Sequence, residues 1–386
     1  MAKQELRVLL TGGGSGGHID PLLAVAERLK IFTAQASMFL ELHYMGPFDK
    51  MTQFFLSDKE VKIHPLVSSK LRRYFSFSNF LDIPKFFISL IQAWFKLFFL
   101  MPDVIFSKGG PGALPVVLTG WFYRIPIIIH ESDSVPGLTN LVSGRFAKRI
   151  AIAFERAGSY FSPGKTAWIG TPIRKAMEGD RLTKEVAKEY LKFSQDYPLV
   201  LILGGSQGAR SLNEFILTNL ETLSHETQIL HQTGAANYDE VEKLARAALN
   251  DFSIEEKIRY RYYAVPFLDE DDLKHALTAA DVVIARAGSG TINIIAAFGK
   301  PCILVPLPNA AGDHQQLNAY EFAKGGGGVV IEEKNLFPAI FSKQLEEMMT
   351  SPGALTRMGS ASHLFFKPGA AEILAEEILK ITGFLK

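Results

Sequence analysis

The sequence predicts an α/β protein made of two halves, each wound around a parallel sheet. Three observations carry that reading. One device occurs twice: an apolar strand, a glycine-rich turn and an immediate helix, from Val8 to Lys30 and again from Leu199 past Leu212. Strand patterns alternate with helical patterns along the chain, as parallel sheets require. The 386 residues exceed what one core usually serves, so two domains are expected.

The strands of the first half are expected at Leu6 to Leu10, Phe39 to Met45, Val104 to Phe106, Ile127 to His130 and Arg149 to Ala153. Those of the second half are expected at Leu199 to Leu203, Thr227 to His231, Ile258 to Ala264, Val282 to Ala285, Cys302 to Val305 and Val329 to Ile331. Each is a short apolar run bounded by turn residues. Helical patterns fill the gaps, as at Leu22 to Lys30, Leu212 to Leu220 and Asp271 to Ala279. Gly170-Thr171-Pro172 reads as a hinge. Ala370 to Leu385 patterns as an amphipathic helix with Ile373, Leu374, Ile378 and Ile381 on one side. The expected division is 1–169, 170–365 and a C-terminal helix, 366–386, packing back on the N-terminal domain. The two sheets are expected to face across a cleft, because ligands of open α/β sheets bind at the carboxyl ends of the strands.

Composition narrows the function. Hydrophobic residues make up 47% and charged residues 21%, which suits a large core and excludes disorder. Lys+Arg 41 against Asp+Glu 40 gives a net charge of +1, without the basic excess of a nucleic-acid binder. The single cysteine, Cys302, excludes an internal disulfide and lies in an apolar run. No Cys/His spacing suggests zinc, and no metal or cofactor is expected. The first ten residues lack the features of a secretory signal, so a cytoplasmic protein is expected. The longest apolar stretch, Phe86 to Met101, is interrupted by Gln92 and Lys96 and falls short of the roughly 18 residues of a spanning helix.

The glycine turns carry the chemistry. Backbone N–H groups at a helix N-terminus favour an anion such as a phosphate. Gly12, Gly14 and Gly17 satisfy G-x-G-x-x-G, yet the second strand ends Tyr44-Met45-Gly46-Pro47 without the ribose-binding acid of a dinucleotide site. His18, at the helix start, is placed to take a proton from an attacking hydroxyl; the alternative is a histidine that caps the turn. In the second loop, Ser206, Gln207 and Arg210 suit a diphosphate, against the reading of a tight turn with a surface arginine.

Ser107-Lys108-Gly109-Gly110-Pro111-Gly112 is a third glycine turn, and His130-Glu131-Ser132-Asp133 ends another strand on the same edge. His130 and Glu131 read equally well as ligand-facing or as structural. Arg286 to Thr291 opens a further helix, and Gly312 to Asn318 brings Gln315 and Gln316 side by side, suited to sugar hydroxyls. A helix cap by Asp313 accounts for only one residue of that run. Asp269-Glu270-Asp271 precedes a helix and is assigned to its N-terminus rather than to a metal. Lys70, Arg72 and Arg73 lead into Phe77, Phe80, Phe86, Phe87, Trp94, Phe95, Phe98 and Phe99, a combination suited to an anionic membrane surface; the alternative is a buried core helix.

In order along nearly the whole chain, Gly13 to His18, Gly204 to Arg210, Arg286 to Thr291 and Asp313 to Ala319 resemble the MurG family of peripheral membrane N-acetylglucosaminyltransferases. His130 to Asp133, His231 to Gly234 and Gly170 to Arg174 fit the same pattern. The resemblance implies a GT-B fold and inverting transfer of GlcNAc from UDP-GlcNAc to undecaprenyl-diphospho-MurNAc-pentapeptide, on the cytoplasmic face of the plasma membrane. It implies His18 as the catalytic group. It implies UDP-GlcNAc binding by Ser15, Gly16, Gly17, Arg174, Ser206, Gln207, Gly208, Leu268, Arg286, Ser289, Gly290, Thr291, Gln315 and Gln316. Acceptor binding falls to Gly14, Gly109, Gly110, His130, Glu131, Asp133 and Asn140. No metal is implied, since helix N-termini can stabilise the leaving diphosphate.

Three positions depart from the family pattern. Ile294 stands where a ribose-binding glutamate is usual, Pro111 where an aromatic is common, and Asp133 where an asparagine is common. Two alternatives stay open: a related GT-B transferase acting on another glycolipid, and a non-catalytic UDP-sugar-binding protein. A dinucleotide oxidoreductase ranks last.

Overall fold

The structure is a computed structural model. It describes residues 5–13, 16–48, 52–53, 56, 60–67, 78–178, 182–205, 208–224, 227–249, 262–308, 310–351 and 353–385. The chain forms two compact units, Met1–Lys175 with Lys367–Lys386, and Ala176–Phe366. The Gly170-Thr171-Pro172 segment lies inside the first unit.

The first unit holds seven parallel strands in the order β3-β2-β1-β4-β5-β6-β7. They are β1 Glu5–Thr11, β2 Phe39–Gly46, β3 Val61–Pro65, β4 Val104–Ser107, β5 Ile127–Glu131, β6 Arg149–Ile152 and β7 Thr166–Trp168. Their helices are α1 Gly16–Gln35, α2 Ser78–Leu100, α3 Ala113–Phe122 and α4 Leu138–Phe146. Alternate residues feed two cores, as a two-sided sheet demands. Leu6, Val8 and Leu10 of β1 pack with Leu22, Val25 and Leu29 of α1, while Leu9 packs with Ala93 and Leu97 of α2. Two edge strands, β3 and β7, were not expected from the sequence.

The second unit repeats the plan with six parallel strands ordered β10-β9-β8-β11-β12-β13. They are β8 Leu199–Leu203, β9 Gln228–Gln232, β10 Tyr262–Val265, β11 Val282–Ala285, β12 Cys302–Leu304 and β13 Gly328–Val330. The expected strand at Ile258 to Ala264 is described only from Tyr262. Around them lie α5 Lys184–Tyr190, α6 Arg210–Thr218, α7 Tyr238–Leu249, α8 Glu270–Ala279, α9 Ser289–Ala297, α10 His314–Lys324, α11 Pro338–Thr350 and α12 Ala354–Phe365. Cys302 is buried in its strand.

The last helix, α13 Ala370–Ile381, returns to the first unit. Leu374, Ile378 and Leu379 join the core beneath α1. Arg28 on α1 pairs with Glu372 at 2.6 Å, and Arg149 pairs with Glu377 at 2.7 Å.

The α2 helix differs from its expectation. Residues Asp82–Leu100 are long and apolar enough to cross a membrane by length and composition, and only 17% of that window is buried. Ala93 and Leu97 dip into the core, while Ile83, Phe87, Ile91, Phe95, Phe98 and Phe99 face outward. These positions recur at helical spacing and make one continuous exposed face. Trp121 and Phe122 of α3 extend it, with the Trp94 and Phe122 rings 4.3 Å apart. A core helix would bury these side chains, so that alternative does not hold.

Candidate functional site

In both sheets the strand order reverses beside the first strand of the unit, between β1 and β4 and between β8 and β11. At such a switch point the flanking loops part, and the crevice at the carboxyl ends becomes the natural ligand site. The motifs singled out in the sequence end on these edges.

In the first unit α1 begins at Gly16, so Gly17 and His18 occupy its first turn rather than a preceding loop. Gly14 and Ser15 lie outside the described residues. His18 is half-exposed. The turn after β4 meets it: Gly110 has φ +84°, and a methyl group there would stand 3.0 Å from His18 Nε2. Gly109, with φ +78°, leaves no room for a side chain either, because Asn140 Oδ1 is 2.5 Å from where a Cβ would be. Both glycines are thus required by conformation and by close approach.

The edge beyond them is buried. Glu131 accepts from the backbone N–H of Asp133 (2.9 Å), that of Gly137 (3.1 Å) and from Asn140 Nδ2 (3.0 Å). Asn140 Nδ2 also donates to the His130 carbonyl at 3.1 Å. His130 is fully buried, and its Nε2–H donates to the Gly170 carbonyl at 2.8 Å. Burial holds the His130 imidazole well below the ordinary histidine pKa, so it is neutral. Burial also pushes the Glu131 carboxyl up, assisted by Asp133 and opposed by Lys108. Of the two readings open for His130 and Glu131, the geometry matches the structural one: they shape the turn that carries Asp133. Arg174 also belongs to this unit, 3.7 Å from Asp20 of α1.

In the second unit the loop after β8 contains Gly208, with φ +77°. A Cβ there would lie 2.4 Å from the Thr233 carbonyl, so glycine lets this loop close on the end of β9. Ser206 and Gln207 lie outside the described residues. Arg210 pairs with Glu214 on its own helix at 2.9 Å and is largely exposed, as the surface-arginine reading has it. The N-terminus of α9 presents Ser289, Gly290 and Thr291, and the space around Gly290 is open. Arg286 does not reach outward. Its guanidinium is buried and donates to the Val305 (3.1 Å) and Pro306 (3.3 Å) carbonyls and to Ser211 Oγ (2.7 Å), and pairs with Glu333. It ties the exits of β11 and β12 together.

Gln315 and Gln316 sit in the first turn of α10. Asp313 stands at the N-cap with a left-handed φ of 54° and makes no side-chain cap, contrary to the cap reading. The backbone fixes the two amides in opposite senses. The Leu307 N–H donates to Gln315 Oε1 at 3.0 Å, which turns the Gln315 amide nitrogen away. Gln316 Nε2 donates to Glu332 at 2.8 Å, which turns its oxygen away. Lys334, Tyr320 and Gln316 hold Glu332 down to about 2, so it only accepts. The pair therefore offers a donor and an acceptor side by side. The Leu268 N–H donates to Gln232 Oε1 at 3.3 Å. Asp269 caps α8 through the Asp272 N–H at 2.8 Å. Among the described residues no group of three or more His, Cys, Asp or Glu is placed to hold a metal.

Two parallel-sheet units with glycine turns at both switch points have the architecture of the GT-B fold, and comparison with known proteins supplies the family. Residues 8–152 match the glycosyltransferase family 28 N-terminal domain and residues 199–374 its C-terminal domain. The chain is 34% identical over 344 residues to UDP-N-acetylglucosamine–N-acetylmuramyl-(pentapeptide) pyrophosphoryl-undecaprenol N-acetylglucosamine transferase 2 of Bacillus anthracis, covering 89% of this chain and 91% of the relative. The enzyme of that name from Thermodesulfovibrio yellowstonii is 33% identical, covering 96% and 97%. The crystal structure of Acinetobacter baumannii MurG superposes with a TM-score of 0.73 at 25% identity, covering 97% and 99%. A UDP-GlcNAc 2-epimerase from Neisseria meningitidis, at 11% identity and TM-score 0.64 over 97% and 100% of the chains, shares the fold alone. The chain belongs to this MurG family of N-acetylglucosamine transferases and is a hexosyltransferase.

Sequence reasoning left Lys108, Ser132, Ser211, Glu332 and Glu333 without roles. The available signals were a lysine between a strand and a glycine turn and a serine in the His130–Asp133 strand end; nothing local marks Ser211, Glu332 and Glu333.

Proposed function

We propose that the chain moves GlcNAc from UDP-GlcNAc to the hydroxyl of undecaprenyl-diphospho-MurNAc-pentapeptide, with His18 as the general base. The observation that carries this is His18 in the first turn of α1 at the β1/β4 switch point, its imidazole against Gly110. As the acceptor oxygen bonds to the anomeric carbon, its proton passes to the imidazole. The bond to the diphosphate breaks on the opposite face, which inverts the configuration. The departing UDP carries the negative charge, for which the α9 N-terminus (Ser289, Gly290, Thr291) and the Gly204–Gly208 loop are suited. Gln315 Nε2 and Gln316 Oε1 supply the complementary donor and acceptor for adjacent sugar hydroxyls. His18→Ala should cut transfer of labelled GlcNAc by about a hundredfold or more while UDP binding persists. Near-normal transfer would remove the base role.

The acceptor's lipid calls for a membrane surface, and the exposed face of α2 and α3 supports docking at the cytoplasmic leaflet. The face is aromatic, and Lys85 and Arg124 stand exposed on or beside it. Lys70, Arg72 and Arg73 lie outside the described residues. A Phe95→Ser/Phe99→Ser variant should lose flotation with anionic vesicles. Flotation equal to the unmodified chain would place docking elsewhere.

A further inference from the structure

Lys108 is a lysine with almost no solvent. It is 3% exposed, although it lies on the edge where the acceptor is proposed to bind. Its N–H donates to the Thr11 carbonyl at 2.8 Å, so its backbone closes the ladder between β4 and β1. Its Cβ lies within 3.3 Å of where a Cβ at Gly12 would stand, so its stem packs under the first glycine loop. The ammonium runs the other way and donates to Ser132 Oγ, in the turn after β5. Burial lowers the pKa of the Lys108 ammonium, opposed by Glu131 and Asp133, which flank that hydroxyl in sequence. A buried ammonium is expensive unless paired, and it donates three hydrogen bonds and accepts none. The Lys108 ammonium, stem and backbone thus reach Ser132, the Gly12 turn and Thr11, three segments of one edge.

The middle loop is the one that touches His18. Gly109 follows Lys108 directly, donates its N–H to Ser107 Oγ at 3.2 Å, and sits against Asn140, which holds Glu131. Gly110 comes next and meets the imidazole. A shift of Lys108 is therefore passed along, because Gly109 is hemmed by Asn140 and Gly110 by His18.

We propose that Lys108 is a positioning residue for the transfer reaction: anchored on Ser132, it fixes the Gly109–Gly110 turn and, through Gly110, the imidazole of His18. The inference rests on the reading of His18 as the base. Misplacement of a catalytic group by about 1 Å can cost on the order of a hundredfold.

The test is a double-mutant cycle in the intact chain, with labelled UDP-GlcNAc and the lipid-linked muramyl acceptor. Lys108→Met should lower kcat at least tenfold and shift the limb of the pH–rate profile that reports the base. The KM for UDP-GlcNAc, and UDP binding by calorimetry, should stay within about twofold. Ser132→Ala, which keeps the charge and removes its anchor, should do the same to a smaller degree; it replaces Lys108→Met if that variant does not fold. In a His18→Ala background, Lys108→Met should have little further effect, because residues acting through one another are not additive. Unchanged kcat and pH profile in both anchor variants would overturn the proposal, as would losses that add to that of His18→Ala. A fall in UDP affinity in step with kcat would also overturn it, pointing to general loss of structure. Near-normal transfer by His18→Ala alone would instead strike the base assignment, which the single variant reads independently.

Discussion

The carboxyl edges of the two sheets share a topology and differ in construction. In the first unit Lys108, His130, Glu131, Ser132 and Asn140 are all buried beneath the turn that reaches His18. In the second unit the edge has a buried brace, Arg286, but its ligand-side groups are more open: among the described residues nothing crowds Gly205 or Gly290, and Gln315 and Gln316 are half-exposed. The difference follows from the proposed tasks. A proton-transferring group must be held in place, which takes a buried polar network with its members paired. A nucleotide sugar must enter and leave, and backbone N–H groups with two half-exposed oriented amides can read it.

The largest expected effect strikes the buried edge. Gly110→Ala should lower transfer about a hundredfold by displacing His18. Its cost in stability should be only the left-handed backbone penalty of about 1–2 kcal/mol. Transfer close to normal, with the thermal midpoint lowered, would mean that the imidazole does not depend on that turn.

Acid separates the two units by a different route. In the second unit His231 is buried, with Nδ1 accepting from the Tyr262 hydroxyl (2.8 Å) and Nε2–H donating to Asn213 Oδ1 (3.0 Å). Burial lowers it from 6.5 to about 3, so the unfolded chain binds the proton first. Its contribution is complete above about pH 6.5 and lost as pH falls toward 3, by roughly 1.4 kcal/mol per pH unit. His130 is shifted the same way in the first unit, but Glu131 is raised, and protonating it favours the folded form. Part of the acid loss there is offset. Urea midpoints between pH 7.5 and 5 should fall, and His231→Asn should flatten the slope. An unchanged slope in that variant would show that His231 is not the group responsible.

The smallest expected effect falls on the open edge. Ile294 lies half-buried in the second turn of α9, where the family pattern has a glutamate. Ile294→Glu should tighten UDP binding about tenfold, since a hydrogen bond to a charged group is worth roughly 1.5–3 kcal/mol. Flat or weaker binding by calorimetry, with the fold intact, would mean that the ribose is held by other groups.

The central strands were legible because each is a continuous apolar run ending in a glycine turn. β3 was not, because Val61-Lys62-Ile63-His64-Pro65 has only two apolar positions, both half-buried, and ends in proline. β7 has three residues, too few for any period. The α2 helix was legible as apolar and, from its aromatic excess, as surface-facing; which of its aromatics face outward was not. Composition says how many aromatics a helix carries, and only the neighbours on the other side decide which of them stay in water.

The sequence by itself determined the two strand–turn–helix devices, their order, and hence both switch points and the glycines lining them. These are local properties: side-chain period, turn conformation and the absence of a Cβ. The tertiary structure alone decided that Lys108 is buried on Ser132, 24 residues away, that Arg286 is a brace, and that Glu332 orients Gln316. Pairing and burial are set by residues distant in the chain, and a charged side chain leaves water only where its partners are in place.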